Sequence, residues 1–499
     1  MRQLFTVILL AFCISNFAQS ALPVLTKAQM YADYDTLIMA LTTINPHDFI
    51  RRKINNYGQS DSIIALRKRI DTIGSAESFF WLVNTALNFC QDGHTSIRGK
   101  STYAFIDSID KVKWRSTISD TTIVQAYRNL YNATVSEYKL FLPVKYLNGK
   151  YIVLATFRYR NKIIPANAIL QSFNGKEINA YVNTLQGSLK NMHWDFENKR
   201  FFAENLFTAL NRSPKDSIEL GFIVKQKTIK VLFNLSDTVI FEKHLTYEQE
   251  DEPAVRYFNK ANILYIRMPV MRDGDFYVSK IDSIAKKKII SKIIFDVRDN
   301  AGGSDPEWAK VITHLIHKPV IRKIISCGNI NNPRRDRWFN DPIPPLQPYF
   351  SSFIKQPIYQ LINEEADTLL PDANSIHYKG KIYILQNENC FSSTGDLIST
   401  CQFSDQLVNV GNSTGWFGGF GSMPWVMILP NSKISYWTEP RLDFTHVNKP
   451  EDLFHNDVKV KIRPTQKDYI DRYSYTGSWY SEDFLFRIDR LFKRVASFN

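Results

Sequence analysis

Serine, histidine and paired glycines stand at three places in this chain where each could take part in acyl transfer. Ser392 lies in KIYILQNENCFSSTGDLISTCQF (381–403), where an apolar run, Ile382 to Leu385, gives way to helical spacing at Leu397, Ile398 and Cys401. A hydroxyl at a strand-to-helix junction is exposed at a helix N-terminus, and the free N–H groups there can stabilise a developing oxyanion. Gly302-Gly303 follow the apolar run Ile289 to Val297. Two glycines let the backbone come close to a substrate and aim N–H groups at it. They do not form a phosphate loop, because the Lys-Ser/Thr ending and the G-x-G-x-x-G spacing are both missing. His94 stands just past the Asp92-Gly93 turn, where a lone histidine is usually a surface or structural residue. Each also has a plain reading: a helix N-cap, a turn and a surface histidine.

Other candidates are present. Gly411-Asn412-Ser413-Thr414-Gly415 is a literal G-x-S-x-G after a strand. Such an elbow must lead into a helix, and WFGGFGSMPW, with three more glycines and a proline, does not start one. Cys390 is a conceivable nucleophile, but a buried structural cysteine is the commoner use. No Cys or His pair has metal-ligand spacing and no HExxH occurs, so neither metal nor cofactor is expected.

The segments that must position these residues divide the 499-residue chain. Residues 1–20 read as a secretory signal peptide: Arg2, an apolar run from Leu4 to Ile14, and Ala18-Gln19-Ser20 as the cleavage pattern. Cys13 follows the bulky Phe12, which disfavours a lipid anchor. Residues 21–115 are an N-terminal helical region ending in Asp92-Gly93-His94-Thr95. Residues 116–240 alternate like strands, with a tight hairpin turn at Asn174-Gly175. Residues 241–475 alternate strands and helices as a layered α/β domain. A strand is expected at Tyr151–Phe157, another at Ile263–Met268, a helix at Phe276–Ala285 and a buried strand at Ile289–Val297. Asp305-Pro306-Glu307 opens a helix with proline at its first position. Pro342 to Pro348 is a surface loop, and 476–499 is a helical tail.

Hydrophobic residues at 44% and aromatics at 13% suffice for sizeable cores and exclude disorder. The net charge of +13 is scattered, without the basic stripe and interleaved aromatics of a nucleic-acid site. No later segment reaches 18 consecutive apolar residues, so no stable membrane insertion is expected. The chain should be exported, periplasmic or extracellular. Four cysteines, Cys90, Cys327, Cys390 and Cys401, are too few for a disulfide scaffold at this length.

Ordered together, three motifs resemble one known family. DVRDNAGG resembles the "DlRgNgGG" motif of the C-terminal-processing (tail-specific) and tricorn-type serine peptidases. CFSSTGDLI resembles that family's nucleophile segment, and QDGHTSI the DGHT segment found before the PDZ domain in many members. ANAILQSFNGKEI is similar to a PDZ strand and turn. The resemblance covers roughly residues 22–465. It implies a crotonase/ClpP-like layered α/β core carrying a β-rich PDZ-like domain, and hydrolysis of polypeptide substrates. It implies Ser392 as nucleophile, with Ser393 as the alternative in a shifted register. Gly302 or Gly303 and the Ser393 N–H would form the oxyanion hole. The lysine that many members use is replaced here by Thr414-Gly415-Trp416-Phe417-Gly418-Gly419, so His94 would be the base. The carboxylate behind it would be Glu451, shortly before His455-Asn456-Asp457, with Asp452 and Glu439 also open. A member that kept the scaffold as a peptide-binding protein, and a serine esterase using Ser413, are the alternative readings.

Overall fold

A computed structural model describes residues 22–97, 121–135, 142–190, 192–203, 217–234, 239–241, 252–339, 342–414, 424–453 and 458–498. The expected signal peptide and His455-Asn456-Asp457 lie outside them.

Four helices come first: α1 (Lys27–Met39), α2 (His47–Asn55), α3 (Gln59–Leu66) and α4 (Ala76–Asn88). Thr26 starts α1 through a capping box with Gln29, and Ser75 caps α4. Phe79, Phe80, Val83 and Leu87 of α4 are fully buried against α1 and its continuation. The short strand β1 (Ser96–Ile97) follows.

The next body is a sheet of β2 (Val144–Leu147), β3 (Lys150–Val153), β4 (Ile169–Phe173), β5 (Ser217–Val224) and β6 (Lys227–Asn234), ordered β6-β5-β4-β3-β2. Asn174 and Gly175, both at positive φ, make the expected turn between β4 and its short partner Lys176–Glu177. Lys225 and Gln226 take the same left-handed conformation between β5 and β6, so that hairpin closes without glycine. The strand expected over Tyr151–Phe157 ends at Val153, and a new strand begins at Phe157.

The core sheet runs β7 (Ala254–Phe258), β8 (Ile263–Arg267), β9 (Lys292–Asp296), then β12, β13 and β17. Between them in the chain come α5 (Gly274–Ala285), α6 (Asp305–Leu315), β10 (Val320–Asn329) and β11 (Tyr359–Leu369). Next are β12 (Ile382–Gln386), α7 (Ser393–Thr400), β13 (Leu407–Gly411), β14 (Trp425–Ile428), β15 (Ser435–Thr438), β16 (Leu442–Asp443) and β17 (Val460–Lys461). The sheet order is β7-β8-β9-β12-β13-β17, parallel except for β7. The buried strand expected from Ile289 starts only at Lys292, because Ile289 is exposed at the surface turn.

Parallel strands covered on both faces should be apolar on both. Leu264, Ile266, Ile293, Phe295, Ile382 and Ile384 pack toward α5, α6 and α7. The alternate residues Ile263, Tyr265, Ile294, Tyr383 and Leu385 pack against Phe484, Leu485, Phe492 and Val495 of the C-terminal tail. The result is a mixed α/β fold with a three-layer core. Among the described residues no helix is long and apolar enough to cross a membrane.

Candidate active site

The carboxyl ends of β9 and β12 lie side by side, which is where open parallel sheets form clefts. From β12 the chain turns through Asn387 to Phe391 and enters α7 at Ser393. Ser392 holds φ 55° and ψ −128°, a conformation that costs a β-substituted residue roughly 1–3 kcal/mol. The neighbouring loop over-determines it. Asp299 accepts from Asn387 Nδ2 at 2.7 Å and from Asn389 Nδ2 at 2.8 Å. Phe391 N donates to Asn300 O at 3.2 Å. Burial pushes Asp299 up, but Arg472 and the two asparagine amides outweigh it and hold the carboxyl well below its usual range.

Ser392 is partly exposed, whereas Ser393 is buried and its Oγ has no partner among the described residues. The hydroxyl presented to the cleft is therefore that of Ser392. Ser393 presents an N–H in the first turn of α7, where no intrahelical acceptor exists. Cys390 Sγ is buried 3.1 Å from Val297 O, and burial pushes its thiol up to about 12. It stays a thiol at neutral pH and is no nucleophile.

Gly302 and Gly303 differ in use. Gly302 N donates to Asn300 Oδ1 at 2.8 Å, so its N–H is turned away from the cleft. Gly303 N has no acceptor among the described residues, while its neighbours bridge to Met271: Met271 N donates to Gly302 O, and Ser304 N to Met271 O. What Gly302 supplies is space. At φ 109°, a Cβ there would stand 2.8 Å from Ser392 Cβ and 3.2 Å from Ser393 N.

His94 arrives from the other side. After α4, the Asp92 carboxylate accepts from His94 N at 3.1 Å, Thr95 N at 2.6 Å, Thr95 Oγ1 at 2.6 Å and Asn45 Nδ2 at 2.7 Å. Burial opposes the charge on Asp92, but Arg51 and the Thr95 bonds hold its pKa down. His47, fully buried beside it, is lowered by burial to about 3 and stays neutral. β1 then pairs with β15, Ser96 opposite Trp437, which brings Glu439 to the imidazole: Nδ1 and Oε2 are 2.5 Å apart. The His94 ring packs on Phe391 with centroids 4.8 Å apart. Gly93 has no room for a Cβ, which would lie 2.3 Å from the Phe391 ring.

The carboxylate on His94 is thus Glu439, not Glu451. Glu451 lies on the single turn Pro450–Leu453, which packs against α2. Asp452 on the same turn accepts from Asn448 N and Lys449 N. Chain proximity to a motif misled here, because strand pairing decides which residue meets the histidine. Thr95, Asp299 and Asn300 were missed as site residues, although Asp-x-x-Thr and Asp-Asn are sequences that hydrogen-bond locally. Ser413 lies beyond β13, and the residues after Thr414, where an elbow would need its helix, lie outside the described ones.

Residues 262–450 match the model of peptidase family S41. Over that segment the chain is similar to the family. The matched segment is that of a family of serine-type peptidases. The S41 match takes in Gly302, Gly303, Ser392, Ser393 and Glu439 and leaves out His94, which comes from the helical region before it. Among solved structures, mature CPAF complexed with lactacystin is similar at 10% identity over 90% of this chain and 96% of that one, with a TM-score of 0.54. Mature CPAF alone is similar at 10% identity over 94% and 98%, with a TM-score of 0.53. At these identities the likeness is one of fold. The photosystem II D1 C-terminal processing protease aligns at 11% identity over 90% and 97%, with a TM-score of 0.37. No curated protein sequence matches the chain.

Proposed function

We propose that this chain is an exported serine endopeptidase of the S41 kind in which Ser392 is the nucleophile, His94 its base and Glu439 the carboxylate that orients the base. The observation that carries this reading is the His94–Glu439 pair, packed on the ring of the residue that precedes the strained Ser392. With Nδ1 held by Glu439, the imidazole proton sits on Nδ1 and the free Nε2 takes the proton of Ser392 Oγ. Oγ attacks the scissile carbonyl. The N–H groups of Gly303 and Ser393 receive the oxyanion, and the protonated histidine returns its proton to the leaving amine. Water then releases the acyl group by the same route. No metal or cofactor enters these steps.

The sheet β6-β5-β4-β3-β2 is taken as a PDZ-like domain that recruits polypeptide by adding it as a strand. Residues 1–20 are taken as the signal that exports the chain. Labelling the mature protein with a serine-reactive fluorophosphonate, and mapping the adduct by mass spectrometry, tests the catalytic reading. An adduct on Ser392 that disappears in His94→Ala supports it. An adduct on Ser413, or full peptide cleavage by Ser392→Ala, overturns it.

A further inference from the structure

Glu439-Pro440-Arg441-Leu442-Asp443 links β15 to β16 along one wall of the cleft. Glu439 reaches His94. Asp443 lies close enough to Asp396, in the first turn of α7, to act on its ionisation. Leu442 is buried on the opposite side, in the core shared by the β-rich body and β10. Glu439 is the carboxylate that acts on the Arg441 guanidinium, so the two side chains lie near each other. In the chain, Arg441 thus lies between the residue that reaches His94 and the residue that acts on the first turn of α7.

Its surroundings are unusual for a guanidinium. Arg441 is partly buried, and burial lowers its pKa, with Glu439 the carboxylate that acts against this. Yet among the described residues it makes no hydrogen bond or ion pair, and the nearby Glu439 carboxylate is engaged by His94. Other enclosed arginines of this core end on carboxylates: Arg298 on Asp296 and Asp489, Arg322 on Asp367, Arg472 on Asp299. An arginine carries five N–H donors in a fork that fits a carboxylate with two parallel bonds. A carboxylate bound there would exchange water on these donors for two charge-assisted bonds in a partly desolvated place.

We infer that Arg441 forms a carboxylate-binding subsite beside the nucleophile, where it takes a substrate carboxylate near the scissile bond. The carboxylate comes either from the terminus of the polypeptide or from an acidic side chain. This rests on the proposed serine peptidase reading and adds a substrate preference to it.

The test uses the full mature protein and two matched peptide pairs on one cleavable parent. One pair has a free or an amidated C-terminus; the other has Glu or Gln close to the cleaved bond. In Arg441→Met, kcat/KM should fall roughly 100-fold on the carboxylate member of one pair, while its neutral partner changes by less than about twofold. The pair that responds identifies the source, and Arg441→Lys should retain part of the preference. Equal losses on every peptide would assign Arg441 to structure and overturn the proposal, as would a wild-type enzyme indifferent to the carboxylate. Anisotropy of the same labelled peptides on Ser392→Ala, with and without Arg441→Met, reads the subsite without catalysis. Absence of wild-type cleavage with an Arg441-dependent preference in binding would sink the peptidase reading and leave the subsite standing. Absence of that preference in binding would sink the subsite alone.

Discussion

His94 Nδ1 lies 2.5 Å from Glu439 Oε2, although 345 positions separate the two residues in the chain. The helical region supplies the imidazole and the end of β15 supplies the carboxylate. The two-residue strand β1 sets their register by pairing Ser96 with Trp437 and Ile97 with Tyr436. A core without the N-terminal helices would keep Ser392 and both glycines but lose the imidazole that meets Glu439.

Glu439→Gln keeps the size of the side chain and removes its charge. The amide can present an N–H to Nδ1 and so favour the wrong tautomer, with the proton on Nε2. The expected outcome is a fall in kcat on the order of 10²–10⁴-fold with the melting temperature little changed. Glu451→Gln, away from the imidazole, should leave kcat within about twofold. Steady-state kinetics of the two variants side by side decide between the carboxylates. Comparable losses in both would contradict the arrangement.

Thr95 Oγ1 joins three segments. It donates to Asp92 Oδ2, and it accepts from Asn45 Nδ2 at 3.3 Å and from Glu439 N at 3.2 Å. One hydroxyl thus fixes the backbone of the orienting carboxylate to the turn that bears His94. Thr95→Val should leave buried donors unpaired, lowering stability by about 1–3 kcal/mol. It should also lower kcat by loosening the pair. Thr95→Ser, which restores the hydroxyl, should recover most of both. Thermal melts and kcat measured together are the check, and a serine variant as poor as valine would assign the effect to packing.

How far these features could be read in advance differed by physical cause. That Ser392 and Gly302 come together was legible because each follows a buried apolar strand. Parallel strands β9 and β12 are adjacent, so their ends must meet. The alternation after residue 241 announced the layered core for the same reason. Glu439 stayed one of three acids, since its meeting with His94 depends on a two-residue strand pairing that leaves no periodic trace. The division of labour between Gly302 and Gly303 was hidden too. It follows from the Asn300 side chain capturing one N–H, a tertiary detail that no glycine count conveys.

Gly302→Ala tests the need for space beside Ser392. The added methyl would meet Ser392 Cβ at 2.8 Å and Phe391 O at 2.9 Å, and φ 109° is already unfavourable for alanine. A displacement of the nucleophile by ~1 Å costs on the order of 10² in rate. Fluorophosphonate labelling should slow by that factor or more, while far-UV circular dichroism stays that of the wild type. Labelling at the wild-type rate would show that the turn relaxes without moving Ser392.

Asp443 gives the fold a pH dependence of predictable sign. Burial raises its carboxyl to about 6, against the Thr445 hydrogen bonds and Arg322, which lower it. An unfolded aspartate titrates near ~4, so the folded state holds its proton more tightly. The neutral form carries the stability, which is complete below about pH 4 and is lost as pH rises from there through about 6. A shift of two units corresponds to roughly 3 kcal/mol, and partial exposure reduces it to about 1–2 kcal/mol. Asp443→Asn is neutral at every pH and keeps the oxygen that accepts from Thr445 N at 2.7 Å. The variant should melt like the wild type near pH 4 and several degrees higher at pH 7.5. Denaturant unfolding at both pH values measures the difference. A variant less stable than the wild type at pH 7.5 would mean that the ionised carboxylate is paired in the folded protein, and that the sign is reversed.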